Sequence, residues 1–526
     1  EHMPLSPNGK LDRKALPKPD VVGREYLAPS SELEQQVAAI WAEVLDVERV
    51  GMHDHFFELG GHSLLATQAV SRMRHGLGLD VNVKALFEQP VLGNFVRALT
   101  QARVAITRIE RAERDQPLAL SYAQERQWFL WQLDPHSAAY HVPRALRLKG
   151  RLDRDALQRA FDTLVARHES LRTHFQPEAG RTVQVISPRA RIELHPVDTD
   201  EAHLKAQVEA RITQPFDLRQ GPLMRVTLLR LAEDEHVLVL VQHHIISDGW
   251  SMQVMVDELV QLYAAYSQGE IPQLPGMPIQ YADYAQWQRD WMEAGEKARQ
   301  LAYWREQLGG EQPVLELPFD HQRPAVPTHR GARLNIALPV PLVERLQALA
   351  QREGVTVFML LLGAYQALLH RYSGQRDIRV GVPIANRNRV EIEGLIGFFV
   401  NTQVLKADID GHTTVRQLLA QVKQRALEAQ AHQDLPFEQL VEALQPERSL
   451  SLSPLFQVAF NHHISQSGRH LRGLAQLDMS PVSWDEAVAQ FDLTLDIEES
   501  PEQLGASLSY ATDLFDASTI ERMARH

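Results

Sequence analysis

Cysteine is absent from the 526 residues, which excludes disulfides, thiolate metal sites and a cysteine nucleophile. This absence suits a cytoplasmic protein, which is the location we expect. The longest apolar stretch, residues 355–369, is too short to span a bilayer, and the N-terminus has no apolar signal core. Basic side chains are also few, 54 against 67 acidic ones, and the net charge of −13 argues against general nucleic-acid binding. We therefore predict no membrane span and no nucleic-acid partner.

An unbroken apolar run, residues 235–242, predicts a strand buried on both faces. It leads into His243-His244-Ile245-Ile246-Ser247-Asp248-Gly249, where the last three residues predict a turn with Gly249 free to take a positive φ. A zinc site built from His243, His244 and Asp248 is disfavoured, because adjacent strand residues point apart and the spacing is not the helical His-Glu-x-x-His type. We predict no metal. Two imidazoles at the end of a buried strand form a candidate active site, although an adjacent His pair taken alone is more often structural.

The N-terminal part of the chain has helical patterns. Residues 31–46 carry one apolar stripe behind a capping box of Ser31 and Glu34. A second helical pattern starts after Gly-Gly-His-Ser, which predicts Ser63 as an exposed helix N-cap. On base rates alone, Ser63 would be no more than a cap.

Residues 101–116 alternate charged with small residues and show no core face, so we predict a solvated linker between domains. From Pro117 onward strands and helices alternate, which indicates an α/β fold. Two portions of similar layout, residues 117–290 and 291–526, predict an N-terminal and a C-terminal lobe with a cleft between them.

Two stretches in the N-terminal part of the chain resemble motifs of known protein families. Phe-Phe-Glu-Leu-Gly-Gly-His-Ser-Leu-Leu-Ala, residues 56–66, resembles the phosphopantetheine attachment motif of peptidyl carrier proteins, which are small all-α four-helix bundles, and residues 25–100 fit such a domain. The resemblance implies 4′-phosphopantetheine on Ser63, attached by a phosphopantetheinyl transferase, and a helix N-terminus suits its phosphate. Residues 7–13, Pro-Asn-Gly-Lys-Leu-Asp-Arg, resemble the last motif of adenylation domains. We interpret residues 1–24 as the tail of an upstream adenylation domain and a linker, and assign Lys10 no activity.

The remaining motifs resemble, in family order, those of the condensation domains of nonribosomal peptide synthetases. The resemblance implies two chloramphenicol-acetyltransferase-like lobes with a tunnel between them. It also implies amide bond formation, in which the α-amine of an acceptor aminoacyl thioester attacks a donor aminoacyl or peptidyl thioester. The implied partners are donor and acceptor carrier domains and the adenylation domains upstream and downstream. The motifs that carry the resemblance are Ser121–Trp128, Arg167–Phe175, His243–Gly249, Tyr281–Trp287, Ile396–Thr402, His432–Glu438 and Arg448–Pro454.

Within the His motif the resemblance gives each residue an expected role. His244 would contact the acceptor amine or take its proton, and which of the two it does stays open. His243 points to the opposite face if strand geometry persists, so we expect it to support the site. Asp248 would pair with an arginine of the second lobe, for which Arg387 is the candidate. Gly249 would let the loop approach the substrate, and its N–H would help to bind the oxyanion.

Related functions can be separated by the residues around the motif. Epimerisation domains typically continue Asp-Gly-Val-Ser-Trp, and their carriers tend to have Asp before the serine, whereas this chain has Trp250-Ser251-Met252 and His62. We therefore predict a condensation domain with an L-configured or glycine donor. The alternative from another class is a catalytically silent domain of the same fold that recruits a carrier or a tailoring enzyme. A free acyltransferase using coenzyme A is disfavoured by the fused carrier with its Ser63.

Overall fold

The computed structural model describes residues 26–79, 81–99, 108–445, 451–464, 477–482, 488–499 and 504–526. The predicted adenylation-domain tail, with Lys10, lies outside these ranges. The chain divides into two compact units, residues 1–106 and 107–526. Their boundary falls inside the predicted linker.

In the part of the first unit that the structure describes there are four helices, which confirms the predicted all-α carrier fold. Helix α1 begins at the predicted capping box, in which the Ser31 hydroxyl accepts the Glu34 N–H and the Glu34 carboxylate accepts the Ser31 N–H. The Trp41 ring lies at the centre, 5.0 Å from the Phe56 ring and 5.6 Å from the Phe95 ring. The helices are α1 (Glu32–Leu45), α2 (Ser63–Leu77), α3 (Val83–Glu88) and α4 (Leu92–Leu99).

The second unit mixes helices with strands, as the alternating pattern predicted. Its helices are α5 (Tyr122–Leu133), α6 (Arg154–Arg167), α7 (Glu201–Thr213), α8 (Gly249–Ser267), α9 (Tyr281–Trp291), α10 (Lys297–Leu308), α11 (Val340–Glu353), α12 (Val357–Ser373), α13 (Val390–Glu393), α14 (Val415–Gln430), α15 (Phe437–Leu444) and α16 (Ala517–Arg525). Its strands are β1 (Leu118–Ala119), β2 (His141–Gly150), β3 (Thr173–Glu178), β4 (Arg181–Ile186), β5 (Pro196–Asp198), β6 (Met224–Ala232), β7 (Glu235–His243), β8 (Gly331–Ile336), β9 (Asp377–Ile384), β10 (Asn401–Asp408), β11 (Val458–Ile464), β12 (Leu477–Pro481), β13 (Leu493–Glu499) and β14 (Leu504–Ala511).

The strands form two large sheets and one small one. The five-stranded sheet has the order β12-β2-β7-β6-β5, the six-stranded sheet β10-β9-β11-β13-β14-β8, and the small sheet β1-β4-β3. Strand β7 lies at the centre of the first sheet, antiparallel to β2 and β6, and is buried from His236 to His243. This confirms the prediction of a strand buried on both faces.

Strand β12 comes from the C-terminal half of the chain but completes the first sheet. It pairs antiparallel with β2, with Met479 opposite Leu148. The two halves of the second unit are therefore interleaved at the sheet that carries the His motif.

Residues 108–114 of the predicted solvated linker belong to the second unit, and two of their side chains contact the rest of it. The Ile109 side chain is only 7% exposed, in a cluster that includes Tyr281 and Phe399. Arg114 donates to Asp283 at 2.7 Å and to Glu169 at 2.8 Å. One isoleucine among charged residues has no periodicity to reveal its burial, since the groove that receives it is made by residues far away in the sequence.

Within the described ranges, no single helix is both long and apolar enough to cross a membrane. Helices α11 and α12 meet the length and composition criteria only as a pair, and the pair is bent by 101°.

Candidate active site

The His motif begins where strand β7 ends. His243 is the last strand residue, and His244 starts a 3₁₀ turn, so strand geometry does not persist as the sequence prediction supposed. The His243 ring nonetheless supports the turn, since its Nδ1 accepts the Ile245 N–H at 3.1 Å. It packs among His141 and Phe216. Burial, with the neighbouring imidazoles His141 and His244, holds the pKa of His243 well below 6.5, so its ring is neutral.

His244 is held at both its backbone and its ring. Its N–H donates to the Tyr140 carbonyl at 2.8 Å, and its Nδ1 lies 2.8 Å from the Ser247 carbonyl oxygen. A carbonyl oxygen only accepts, so Nδ1 carries the proton and Nε2 of the neutral ring keeps its lone pair. Burial lowers the pKa of His244 from 6.5, with the Asp248 charge opposing the shift. The Phe398 ring lies against the imidazole, with 4.6 Å between ring centroids.

The prediction of a turn at Gly249 is wrong. Asp248 is the N-cap of α8, its Oδ1 accepts the Ser251 N–H at 2.7 Å, and Gly249 is the first helical residue. Gly249 is exposed, it is not among the glycines with a positive φ, and no atom lies near the position a Cβ would take. A carboxylate at a helix N-terminus explains the difference, because capping competes with turn formation for the same Asp-Gly pair.

Asp248 and Arg387 form a buried ion pair, which confirms Arg387 as the predicted partner. Arg387 Nη2 lies 3.3 Å from Asp248 Oδ1, and both side chains are fully buried. Arg387 Nη1 also donates to the carbonyls of Ile392 and Leu395, at 2.6 and 2.8 Å. The second carboxylate oxygen of Asp248 accepts the Phe399 N–H at 3.0 Å. Hydrogen bonds thus occupy both carboxylate oxygens of Asp248 and both Nη groups of Arg387, which offsets part of the cost of burying the two charges.

Ser251 belongs to the same network, although nothing in the sequence predicted a structural role for it. Its hydroxyl accepts from Arg387 Nη2 at 2.6 Å and from the Gly397 N–H at 3.0 Å, and donates to the Gly397 carbonyl at 2.7 Å. Tyr281 was also missed, and its hydroxyl donates to the Phe398 carbonyl at 2.5 Å. Both residues lay in or beside recognised motifs, but only the structure shows which groups they contact.

Trp250 lies between the motif and this network. Its indole N–H donates to the Glu393 carbonyl at 2.9 Å, and the Arg387 guanidinium lies 5.6 Å from its ring. Trp250 therefore also contacts the segment that contains Arg387.

Ser63 lies one position further into its helix than predicted. His62 is the N-cap of α2, with its Nδ1 accepting the Leu65 N–H at 3.5 Å, and Ser63 is the first helical residue and half-buried. The chain reaches it through Gly60, at a φ of 97°, and Gly61, where a Cβ would lie 2.3 Å from the Phe56 ring. The two glycines thus permit the close approach that brings Ser63 to the start of α2.

Comparisons with known proteins agree with both units. Residues 114–526 match the condensation domain family, and residues 35–99 match the phosphopantetheine attachment site family. One of the linear gramicidin synthase proteins of Brevibacillus parabrevis is 48% identical across the whole chain, and malpibaldin synthetase of Mortierella alpina is 43% identical across 99% of it. The chain spans only 7% and 10% of the lengths of these two relatives. A solved complex of the X-domain and OxyB from teicoplanin biosynthesis matches with 31% identity and a TM-score of 0.73, covering 80% of this chain and 94% of that one.

The chain belongs to the condensation domain family, preceded by a phosphopantetheine attachment domain. It is a carrier–condensation segment of the nonribosomal peptide synthetase type. The start of α2 fits 4′-phosphopantetheine, because it combines a hydroxyl on the first helical residue with first-turn N–H groups and the positive end of a 15-residue helix.

Proposed function

We propose that this chain presents an aminoacyl or peptidyl donor on Ser63 and forms a peptide bond at His244. The observation that carries the proposal is the intact network around His244, in which the imidazole is neutral and fixed in one tautomer. Phosphopantetheine, when bound, supplies a thiol that carries acyl groups as thioesters. The remaining chemistry is assigned to residues of this chain.

Ser63 is the proposed attachment residue. Its hydroxyl is the nucleophile that a phosphopantetheinyl transferase would use, and the phosphodiester would lie at the positive end of α2. His62 fixes the first turn through the Leu65 N–H, which leaves the Ser63 side chain out of the cap.

His244 Nε2 is the proposed contact for the acceptor amine. The amine attacks the thioester carbonyl and the C–N bond forms, while the C–S bond breaks and the donor sulfur leaves with its electron pair as a thiolate. The proton lost by the nitrogen moves to Nε2, from which it can pass to the thiolate. Because burial lowers the pKa of His244, the ring is unprotonated at neutral pH and can accept that proton. Such a base contributes ~10² to 10⁴ in rate, and a thioester is already activated, so positioning contributes alongside it.

Gly249 and Asp248 have different proposed roles. The Gly249 N–H belongs to the first turn of α8, whose N–H groups have no acceptor within the helix, and it is our candidate donor to the developing oxyanion. Asp248 acts through structure, since both of its oxygens are occupied by Ser251, Arg387 and Phe399.

The proposed donor is an L-residue or glycine, on the evidence of His62 and of the Trp250-Ser251-Met252 continuation. The proposed partners are an acceptor carrier, the adenylation domains that load both carriers, and a phosphopantetheinyl transferase.

A second candidate function is a silent recruitment domain. It is favoured by one finding, the 31% identity to an X-domain that was solved in complex with OxyB. The intact ion pair of Asp248 and Arg387, and the locked tautomer of His244, favour catalysis over this alternative.

The deciding experiment measures peptide transfer in a single turnover. The full chain is loaded at Ser63 with a synthetic L-peptidyl-pantetheine and mixed with an acceptor carrier that bears an aminoacyl thioester. We expect transfer by the wild-type chain and a fall of ~10² to 10⁴ in His244→Ala. His195→Ala is the matched control, because the His195 side chain is 81% exposed and far along the chain from the motif.

Three results would count against the proposal. Transfer at full rate by His244→Ala would remove His244 from the chemistry. Absence of transfer with every L-donor tested would favour the recruitment function. Loading that persists in Ser63→Ala would place the attachment elsewhere.

A further inference from the structure

The backbone on both sides of Phe398 is pinned to the first half of the condensation unit. The N–H and carbonyl of Gly397 bond to the Ser251 hydroxyl, and the Phe399 N–H bonds to Asp248 Oδ2. The Phe398 carbonyl itself accepts from the Tyr281 hydroxyl at 2.5 Å. Four hydrogen bonds, from the N-cap and first turn of α8 and from the start of α9, thus fix Phe398 and its two neighbours.

Steric contacts tighten the same segment. A Cβ at Gly397 would lie 1.9 Å from Tyr281 Cδ2, so only glycine lets the chain pass this close to the tyrosine. The Tyr281 hydroxyl is held in turn by the Ser121 hydroxyl at 2.8 Å, and its ring packs on Phe399 with 4.9 Å between centroids. Such over-determination of an irregular segment is typical of positions where geometry matters for function.

The side chain that this arrangement fixes is Phe398, which is 8% exposed and lies against His244. The two rings are tilted by 54°, with centroids 4.6 Å apart. Ser247 holds the Nδ1 edge of the imidazole, so Phe398 and Ser247 together restrict the rotation of the ring.

We propose that Phe398 is a positioning residue for the condensation reaction, which holds the His244 ring in place and keeps water from one of its faces. The proposal rests on the proposed role of His244. On this proposal the hydrogen-bonded network has a specific effect, which is to fix Phe398, from the second half of the chain, against the His motif. Its members are Asp248, Ser251, Arg387 and Tyr281.

The proposal can be tested through the pKa of the His244 ring, which depends on the groups that surround it. The charged groups that act on its ring are Asp248, which raises the pKa, and Arg126 of α5, which lowers it, while His243 is the neighbouring titratable group. The segment 394–399 contributes the apolar Phe398 ring. Loss of the Phe398 ring admits water, which favours the charged imidazole and moves its pKa upward, toward 6.5.

The test compares pH–rate profiles of single-turnover transfer for the wild-type chain, Phe398→Leu and Phe398→Ala. Protonation of His244 removes the base, so the rate falls as the pH drops through its pKa. We expect the acid limb to move to higher pH in both variants, further in Phe398→Ala, with a loss of roughly 10²-fold in the plateau rate of Phe398→Ala. The acceptor amine is common to all samples, so differences between the profiles report on the enzyme. If Phe398→Ala does not fold, Phe398→Leu decides.

Phe515→Ala is the matched control, because Phe515 is a buried phenylalanine at 2% exposure that packs on Phe319. We expect it to lower stability and leave the acid limb in place. A wild-type profile in both Phe398 variants would overturn the inference while leaving the proposed function standing. Full-rate transfer by His244→Ala would instead remove the proposed function itself.

Discussion

The two residues proposed to carry the function, Ser63 and His244, follow the same local arrangement. His62 and His243 both have extended backbones, and in each a ring Nδ1 accepts an N–H from the turn that follows, of Leu65 and of Ile245. The residue directly after each is the proposed functional one, Ser63 or His244. A histidine thus caps its own turn in both units and orients its neighbour.

The surroundings of the two residues differ in accordance with their proposed chemistry. Ser63 is half-buried at the start of α2, where an enzyme can modify it and a tether can leave it. His244 lies beside a buried network that joins α8 to the segment 387–399. Both residues are half-buried, so exposure does not distinguish them. Modification of a side chain requires access, whereas proton transfer also requires fixed geometry, which the network beside His244 supplies.

We expect the largest effect from Ser63→Ala, which removes the attachment hydroxyl of the carrier unit and leaves the structure of that unit unchanged. Ser63→Ala removes the hydroxyl without removing the cap, which belongs to His62. We expect complete loss of phosphopantetheine loading, read by the mass of the intact chain after incubation with coenzyme A and a phosphopantetheinyl transferase. The thermal unfolding transitions stay unchanged. A loss of carrier stability in this variant would mean that Ser63, rather than His62, holds the first turn.

Arg387→Met is expected to lower both the stability and the activity of the condensation unit, unlike Ser63→Ala in the carrier unit. The change leaves Asp248 buried without its cation, and breaking a buried pair costs ~3–5 kcal/mol. We expect that loss in the unfolding of the condensation unit, followed by calorimetry of the full chain, together with loss of transfer. Arg376→Met is the control, because Arg376 pairs with Asp408 at the surface, and such pairs contribute ~0–1 kcal/mol. Equal stability of the two variants would contradict the account of the network.

Ile109→Ala tests whether residues 108–114 are part of the condensation unit. Ile109 packs with Tyr281 and Phe399, behind the segment that contacts Asp248. Truncation of a buried isoleucine costs ~2–5 kcal/mol, whereas Ile271→Ala, at an 88% exposed site, is expected to stay within about 0.5 kcal/mol. Urea unfolding of the full chain gives the comparison. Equal free energies of unfolding for the two variants would show that residues 108–114 do not stabilise the condensation unit.

The smallest effect concerns the cap of α1. Ser31→Ala removes the hydroxyl that accepts the Glu34 N–H, at a cost of ~1 kcal/mol to the carrier unit, whereas Ser31→Asn keeps an acceptor there. The N–H groups of Ser31 and Ser30 lower the pKa of Glu34 from 4.5 to about 2. The carboxylate half of the cap is therefore present above pH 4.5 and is lost as the pH falls toward about 2. Equal stability of the alanine and asparagine variants would show that the cap contributes nothing.

Much of this could be predicted from the sequence. Periodicity and capping predicted α1 and α2 of the carrier unit, and the apolar run predicted β7. The family resemblance implied the fold and an arginine partner for Asp248, for which Arg387 was the candidate. These features are either local or carried by a family resemblance.

The remaining features depend on contacts that no local pattern encodes. The burial of Ile109, the position of β12 beside β2, and the bonds from Ser251 to Gly397 join residues far apart in the chain. The errors at Ser63 and Gly249 have a local cause. In both places the preceding residue takes the cap position. Asp248 is a favoured N-cap residue, whereas His62 caps through its ring Nδ1, which general capping preferences do not predict.

The buried network is proposed to affect catalysis through its effect on His244. A double-mutant cycle of Ser251→Ala and His244→Ala, measured by single-turnover peptide transfer, tests it most directly. We expect Ser251→Ala to slow the wild-type chain but to have no further effect once His244 is gone, so that the double variant transfers at the rate of His244→Ala alone. A double variant whose loss equals the product of the two single losses would show that the network acts independently of His244, and would contradict the account.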